Sequence, residues 1–149
     1  MQSEIKFRGK RVDTGEWVYG NLLKLESGFF TDNNDKAYEW YIIPTITNGC
    51  WSKNNLMLKF ISPCFEVIPE TVGKYTGLKD KNGKEIYEGD IFKWEDSAFG
   101  YIKYKDGSFY LKIAEIYSPW LRVIKHKLEN ELEVIGNVYN NPELLQEVE

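Results

Sequence analysis

The chain has 149 residues, enough for one ordinary domain or two very small ones, and at 42% apolar residues it can bury a sizeable core. Aromatic residues make up 15%, with ten Tyr, eight Phe and five Trp, while Ala is scarce; that balance fits pleated sheets and argues against a helical bundle. The net charge of −4 is uneven, because 128–149 holds six Glu and no Lys or Arg, leaving a balance of +2 before it; the acidity belongs mainly to the tail and weighs little against a local basic face.

In chain order, Ile5 and Phe7 alternate with Lys6 and Arg8, the pattern of a half-buried strand. Trp17-Val18-Tyr19 reads as its partner, with Asp13-Thr14-Gly15 supplying turn chemistry between them. Two registers compete. A three-residue loop pairs Val12 with Glu16, and a four-residue loop pairs Val12 with Trp17. The second is preferred because aromatic and β-branched pairs stabilise a ladder. Tyr38–Ile43 reads as a strand stopped by Pro44, and Leu56–Ile61 as another stopped before Pro63. The polar stretch Thr45–Asn55 reads as a loop, with Trp51 packed back on the core.

The stretch YTGLKDKNGKEIYEGD, Tyr75–Asp90, concentrates Gly, Asn, Asp and Lys. A two-residue turn at Asn82-Gly83 would oppose like charges, Lys81 to Lys84 and Asp80 to Glu85. A three-residue loop, Lys81-Asn82-Gly83, instead pairs Asp80 with Lys84, Lys79 with Glu85 and Leu78 with Ile86. Each such pair contributes roughly 0.2–1 kcal/mol, and all three favour the longer loop, with Gly83 left-handed. Glu88-Gly89-Asp90 reads as a second turn into a strand, Ile91–Trp94.

Gly100–Ile113 is the clearest hairpin. A two-residue turn at Asp106-Gly107 pairs Tyr104 with Phe109 and Ile102 with Leu111 on one face. Lys105 with Ser108, Lys103 with Tyr110 and Tyr101 with Lys112 fall on the other. Trp120–Lys125 and Glu133–Val138 read as further strands. Asn140-Asn141-Pro142-Glu143 starts a short helix, with Asn as cap, Pro in the first turn and acid at the positive end.

The expected fold is therefore mainly β, or β-rich α+β, in short antiparallel strands and hairpins. The half after Glu88 is similar to an SH3-like barrel and ends in the short helix. The expected organisation is a β subdomain over 1–72 with an irregular middle and a barrel-like subdomain over 73–149, or one continuous domain.

Three segments together carry a family resemblance. IKFRGKRVDTGEWVYGNL opens the chain, EVIPETVGKYTGLKDKNGKEIYEGDIF stands at its centre, and LEVIGNVYNNPELL lies near its end. They resemble the YopX family of phage and prophage proteins, and the central block is the most specific of the three. They cover under half of the chain but bracket all of it; 24–64 and 97–131 match no motif. The resemblance implies a β-rich fold in a phage or prophage setting. It implies no catalytic residues.

The sequence argues against several chemistries. Gly77, Gly83 and Lys84 lack the spacing of a phosphate loop and sit between strands. Asp80, Asn82, Glu85 and Asp90 lack the spacing of a calcium loop. Cys50, Cys64 and His126 are too few and too scattered for a zinc site. Cys64, beside Pro63 and Phe65, reads as a small core residue and His126 as a solvated one. The carboxylate pairs Glu88 with Asp90 and Glu95 with Asp96 read as turn and surface groups. No catalytic, cofactor-binding or metal residues are expected, and no enzyme activity.

No run approaches the roughly 20 apolar residues of a membrane helix, Met1–Arg11 is too polar for a signal peptide, and two cysteines form no disulfide framework. A cytoplasmic protein of a bacterial host cell is expected. Partners are expected to be proteins, a second copy included. The alternative is nucleic acid, bound through Lys6, Arg8, Lys10 and Arg11 with nearby Phe7, Trp17 and Tyr19 as stacking surfaces. Its plain counterpart is a solvated strand face with the aromatics turned to the core. Asn82, Gly83, Gly89, Asp90, Asp106 and Gly107 are expected to serve only as turns.

Overall fold

A computed structural model describes residues 4–30, 36–43, 64–94, 98–113, 116–118 and 130–148. They gather into two compact units, Ile5–Val72 and a second that runs from Gly73, and the strand pairings within each unit are antiparallel. The mainly β character follows from the alternating, aromatic-rich segments.

The first unit holds β1 (Phe7–Lys10), β2 (Trp17–Phe30), β3 (Lys36–Ile43) and β4 (Phe65–Glu66), in the spatial order β4-β3-β2-β1. The first hairpin corrects both expected registers. Phe7, Arg8, Gly9 and Lys10 pair with Gly20, Tyr19, Val18 and Trp17. The Arg11 N–H donates to the Glu16 carbonyl at 2.9 Å. The loop thus has four residues, but they are Val12–Gly15 rather than Asp13–Glu16. Gly15 takes the left-handed corner at φ 71°, and Val12 leaves the hairpin ladder to donate its N–H to the Glu66 carbonyl at 3.0 Å.

The second strand is also longer than Trp17–Tyr19. It pairs with β1 up to Gly20 and with β3 from Asn21 onward. Gly20 and Asn21, which look like a break in the sequence, are the point at which one partner hands over to the next. The third strand ends at Ile43, immediately before Pro44. Tyr41 and Ile42 pair with Glu66 and Phe65. Beyond β4, Val67 bridges Arg11, and the Ile68 N–H donates to the Lys10 carbonyl at 2.9 Å. The inward side is marked by buried Gly9, Gly20, Ile42 and Val67. A Cβ on Gly9 would come within 2.9 Å of the Val67 Cβ, so the close approach excludes any larger residue. A single 3-10 turn, Pro69–Thr71, ends the unit; the Thr71 hydroxyl accepts from the Lys10 N–H and donates to the Ile68 carbonyl, at 2.9 and 2.7 Å.

The second unit begins with β5 (Gly73–Lys79) and β6 (Glu85–Tyr87). Lys79 pairs with Glu85, the Asp80 N–H donates to the Lys84 carbonyl at 2.8 Å, and Gly83 has φ 81°. The three-residue loop therefore forms as expected. The ladder is not regular beyond it. The register shifts before Tyr75 pairs with Tyr87, with Gly77 at φ 83°. The Thr76 hydroxyl spans this irregularity, donating to the Ile86 carbonyl at 2.9 Å and accepting from the Leu78 N–H at 3.1 Å. Leu78 and Ile86 still meet in one apolar cluster.

Next come β7 (Asp90–Trp94), β8 (Ala98–Lys105), β9 (Ser108–Ile113), β10 (Ile116–Ser118) and β11 (Val134–Asn137), in a sheet ordered β10-β9-β8-β7-β11. The β8–β9 pairing matches the expected register at every named pair, and Asp106 and Gly107 both have positive φ, 50° and 81°. Those angles are the mirror-image turn that follows the natural twist of a hairpin. Ile102 and Leu111 are buried with Ile86 and Phe92, and Leu78, Phe109, Ile113, Leu132 and Val134 pack around them.

Two expectations need correction here. The five strands form an open sheet with β10 and β11 at its edges, so no barrel closes among the described residues. The short terminal helix forms where expected, as a 3-10 helix over Pro142–Val148, but its expected Asn cap does not. Asn141 does not cap it from its side-chain oxygen, which instead accepts from the Asn137 N–H at 3.4 Å. The expected strands Leu56–Ile61 and Trp120–Lys125, the loop Thr45–Asn55 with Trp51, the pair Glu95 and Asp96, and the residues Cys50 and His126 lie outside the described residues.

Candidate functional site

Polar side chains with chemistry to offer concentrate in two places. One is the turn region of Tyr75–Asp90. Asp80 is 4% exposed, and both of its carboxylate oxygens are occupied by backbone amides. Oδ1 accepts from the N–H groups of Asn82 and Lys84 at 2.8 and 2.9 Å. Oδ2 accepts from the Val134 N–H at 3.0 Å. Burial by itself pushes this carboxyl upward, but the hydrogen bonds from Val134, Lys84 and Asn82, with the charge of Lys84, outweigh it and hold the pKa below the ordinary range. The clasp continues beside it. The Lys81 N–H donates to the Leu132 carbonyl at 3.1 Å, and Lys81 Nζ meets Glu133 at 2.7 Å.

Asp80 was missed as an organiser by sequence reasoning, although an Asp followed by a turn is the signature of a side chain that binds its own backbone two residues on. The second turn has the same logic. The Tyr87 N–H donates to Asp90 Oδ2 at 2.8 Å, the Gly89 N–H to the Ile102 carbonyl at 2.7 Å, and the Tyr104 N–H to Glu88 Oε1 at 3.1 Å. Asn82, Gly83, Gly89, Asp90, Asp106 and Gly107 all lie in or beside turns. Among the described residues, no three His, Cys, Asp or Glu side chains gather as a metal site would require.

The other place is the outward face of the N-terminal sheet. Arg8 pairs with Tyr19 and Lys10 with Trp17, so these four share one face, and strand alternation extends it through Lys6, Asn21, Leu23 and Leu25. The β2–β3 and β3–β4 registers carry the same face across Tyr41, Glu39 and Glu66. Trp17 and Tyr19 therefore sit with Arg8 and Lys10, while Arg11, which bridges Val67, falls on the inward side. The four basic residues have different surroundings. Arg8 is 4% exposed, with its guanidinium 4.7 Å from the Trp17 ring centroid. Lys6 and Lys10 are half-buried, and Lys10 Nζ is 5.9 Å from the same ring.

Arg11 stacks over Phe65 at 4.3 Å and donates to Asp13 Oδ1 at 2.8 Å. That hydrogen bond raises the Arg11 pKa and lowers that of Asp13. On the far side of the face, the Tyr41 hydroxyl donates to Glu39 Oε2 at 2.7 Å. This bond, reinforced by burial and by the charges of Glu39 and Glu66, pushes the Tyr41 phenol up to about 12. Cys64 corrects another expectation: it is exposed, and with Arg11, Val12, Asp13, Phe65 and Glu66 it lines a groove of about 340 Å3.

No described helix is long and apolar enough to cross a membrane. The chain matches the family described as YopX protein over residues 6–146. It is 30% identical over 108 residues to the "SPbeta prophage-derived uncharacterized protein YopX" of Bacillus subtilis (strain 168), covering 68% of this chain and 80% of that protein. Its fold is similar to the crystal structure of protein EF1440 from Enterococcus faecalis, with a TM-score of 0.51 at 25% identity, covering 97% of this chain and 99% of that one. These matches extend well beyond the three segments that carry the sequence resemblance, and the chain belongs to the YopX family.

Proposed function

We propose that this chain is a non-enzymatic prophage accessory protein that works in the host cytoplasm through protein contacts made by its N-terminal unit. One observation carries the reading. Among the described residues, Ile5, Val12, Tyr19, Leu25, Tyr38 and Ile68 are large apolar side chains left exposed, and all belong to Ile5–Val72, against Tyr139 alone in the second unit. Of these, Tyr19 and Leu25 stand on one face of β2 with half-buried Leu23 between them; single exposed apolar residues are ordinary, whereas neighbours sharing one face are characteristic of interaction surfaces. The test is affinity capture from prophage-induced cells, treated with nuclease and compared with a Leu25→Glu variant. Protein partners that survive nuclease and are lost with the variant support the reading. Recovery of nothing above background refutes it.

A second reading, nucleic-acid binding through Lys6, Arg8, Lys10 and Arg11, is favoured by Trp17 and Tyr19 sharing the face of Arg8 and Lys10. It requires binding to single- or double-stranded DNA or RNA that falls steeply with added salt. An absence of binding at low salt ends it.

A further inference from the structure

The side of the β8–β9 hairpin that faces away from the apolar cluster has no part in the contacts proposed above. Ile102 and Leu111 belong to the cluster, so by alternation Tyr101, Lys103 and Lys105 on β8 and Ser108, Tyr110 and Lys112 on β9 share the opposite side. Lys103 stands opposite Tyr110 and Tyr101 opposite Lys112, with Lys112 Nζ 5.9 Å from the Tyr101 ring centroid. Lysine and tyrosine therefore alternate both along these strands and across them. Lys105 extends the pattern at an exposed position, and exposed Lys93 extends it onto β7, where it pairs with Phe99. None of the described residues on this side of β7, β8 and β9 is acidic. Among the described residues, no carboxylate pairs with Lys93, Lys103 or Lys105. Toward β11 the same side is closed: Ile91 is fully buried, and a Cβ on its partner Gly136 would meet the Asn141 side chain at 2.5 Å.

We propose that this side of the second unit binds single-stranded nucleic acid, with phosphates held by Lys93, Lys103, Lys105 and Lys112 and bases laid against Tyr101 and Tyr110. The site lies on a different unit from Lys6, Arg8, Lys10 and Arg11 and is independent of the protein contacts made by the N-terminal unit. A platform of cations with aromatic rings set among them is what a single strand requires, because it presents charge and flat bases together. Tyr101 and Tyr110 are half-buried, so part of each side chain is open to solvent. A duplex keeps its bases stacked inside and would leave these rings idle. An acidic peptide would use the lysines alone. The net charge of −4 does not oppose binding here, because charges more than about 10 Å away are largely screened and the local field decides.

Fluorescence anisotropy with the full chain tests this, using a labelled single-stranded DNA of mixed sequence and about 16 nucleotides, the upper end of what one small binding fold covers. Wild type is expected to bind at low salt, with a slope of log affinity against log salt near about −3, as four lysines on a single strand require. Lys105→Ala, at an exposed position, is expected to weaken binding by about fivefold to tenfold at low salt and to reduce the slope by about 0.7. Tyr110→Leu is expected to weaken binding by at least about fivefold and to leave the slope unchanged, because it removes stacking and no charge. Tyr101→Leu takes its place if Tyr110→Leu alters the circular dichroism spectrum. An absence of binding at low salt overturns the proposal, as does an affinity indifferent to these substitutions. Equal affinity for the matching duplex, or displacement by polyglutamate as readily as by unlabelled strand, would show charge acting alone and overturn the single strand as occupant. Binding lost with Lys10→Ala and kept with Lys105→Ala would overturn the placement in favour of the N-terminal strand.

Discussion

Asp80 is the residue whose loss the second unit should feel most sharply. Asp80→Ala removes the acceptor of three backbone N–H groups, those of Asn82, Lys84 and Val134. Asn82 and Lys84 are exposed and can turn to water, whereas Val134 is half-buried at the edge of the apolar cluster. A hydrogen bond to a charged acceptor contributes about 1.5–3 kcal/mol, and a buried amide left without a partner costs about 1–3 kcal/mol. With the two exposed amides largely compensated, the expected loss is about 2–4 kcal/mol at neutral pH.

The pH dependence gives a sharper test than the magnitude. The folded pKa of Asp80 is lowered, so the unfolded chain binds the proton more readily and stability rises with pH through this group. The contribution is fully present above the unfolded aspartate pKa, about 3.9, and is lost as pH falls through the depressed folded value. Urea denaturation of wild type and Asp80→Ala, followed by near-UV circular dichroism at a series of pH values from neutral downward, reads the difference directly. The gap should be widest at neutral pH and should narrow below pH 4 or so. A gap under about 0.5 kcal/mol at neutral pH, typical of an ordinary surface substitution, would refute the clasp. A gap that widens in acid would refute the sign of the shift.

Three further outcomes are expected. Ile102→Ala should destabilise the second unit by about 2–5 kcal/mol in the same assay, because Ile102 is fully buried against Ile86, Phe92 and Leu111. Gly107→Val should destabilise by about 1–2 kcal/mol, since the site has φ 81° and open space around it, so the cost is conformational and not steric crowding. Spectrophotometric titration should contain a component at about 12 from Tyr41, and Glu39→Gln should move that component toward the ordinary value. The raised folded pKa means that the stability linked to Tyr41 is complete below the unfolded value, about 10, and is lost as pH rises through about 12.

The later hairpins were legible because their information is local. Asp106-Gly107 specifies a mirror-image turn, and the charges around Lys81–Gly83 select one loop length. The first hairpin was legible only in its loop length. Its register depends on Val12 bonding to Glu66, a contact 54 residues away in sequence that no turn motif announces. The same distance hid the true extent of β2, whose later residues are held by β3, and left β4 unanticipated. The irregularity at Thr76–Gly77 was hidden differently, because Leu78 and Ile86 reach one cluster with or without it. For the candidate face, the basic residues were legible but their company was not. Whether Trp17 and Tyr19 join Lys10 or oppose it changes with a single step of register, and only the assembled ladder decides that. Cys64 was judged by its residue type, while its exposure follows from its place before the short β4.

The handover along β2 also bears on how the first unit opens. Trp17–Gly20 belong to one ladder and Asn21 onward to the next, yet they are one uninterrupted strand. Neither hairpin can melt without loosening residues that the other depends on. The two behave as one cooperative unit, so amides on both sides of Gly20 should exchange with solvent through a shared opening and with a common free energy. A substitution in the first hairpin would then be felt as lost protection along β3.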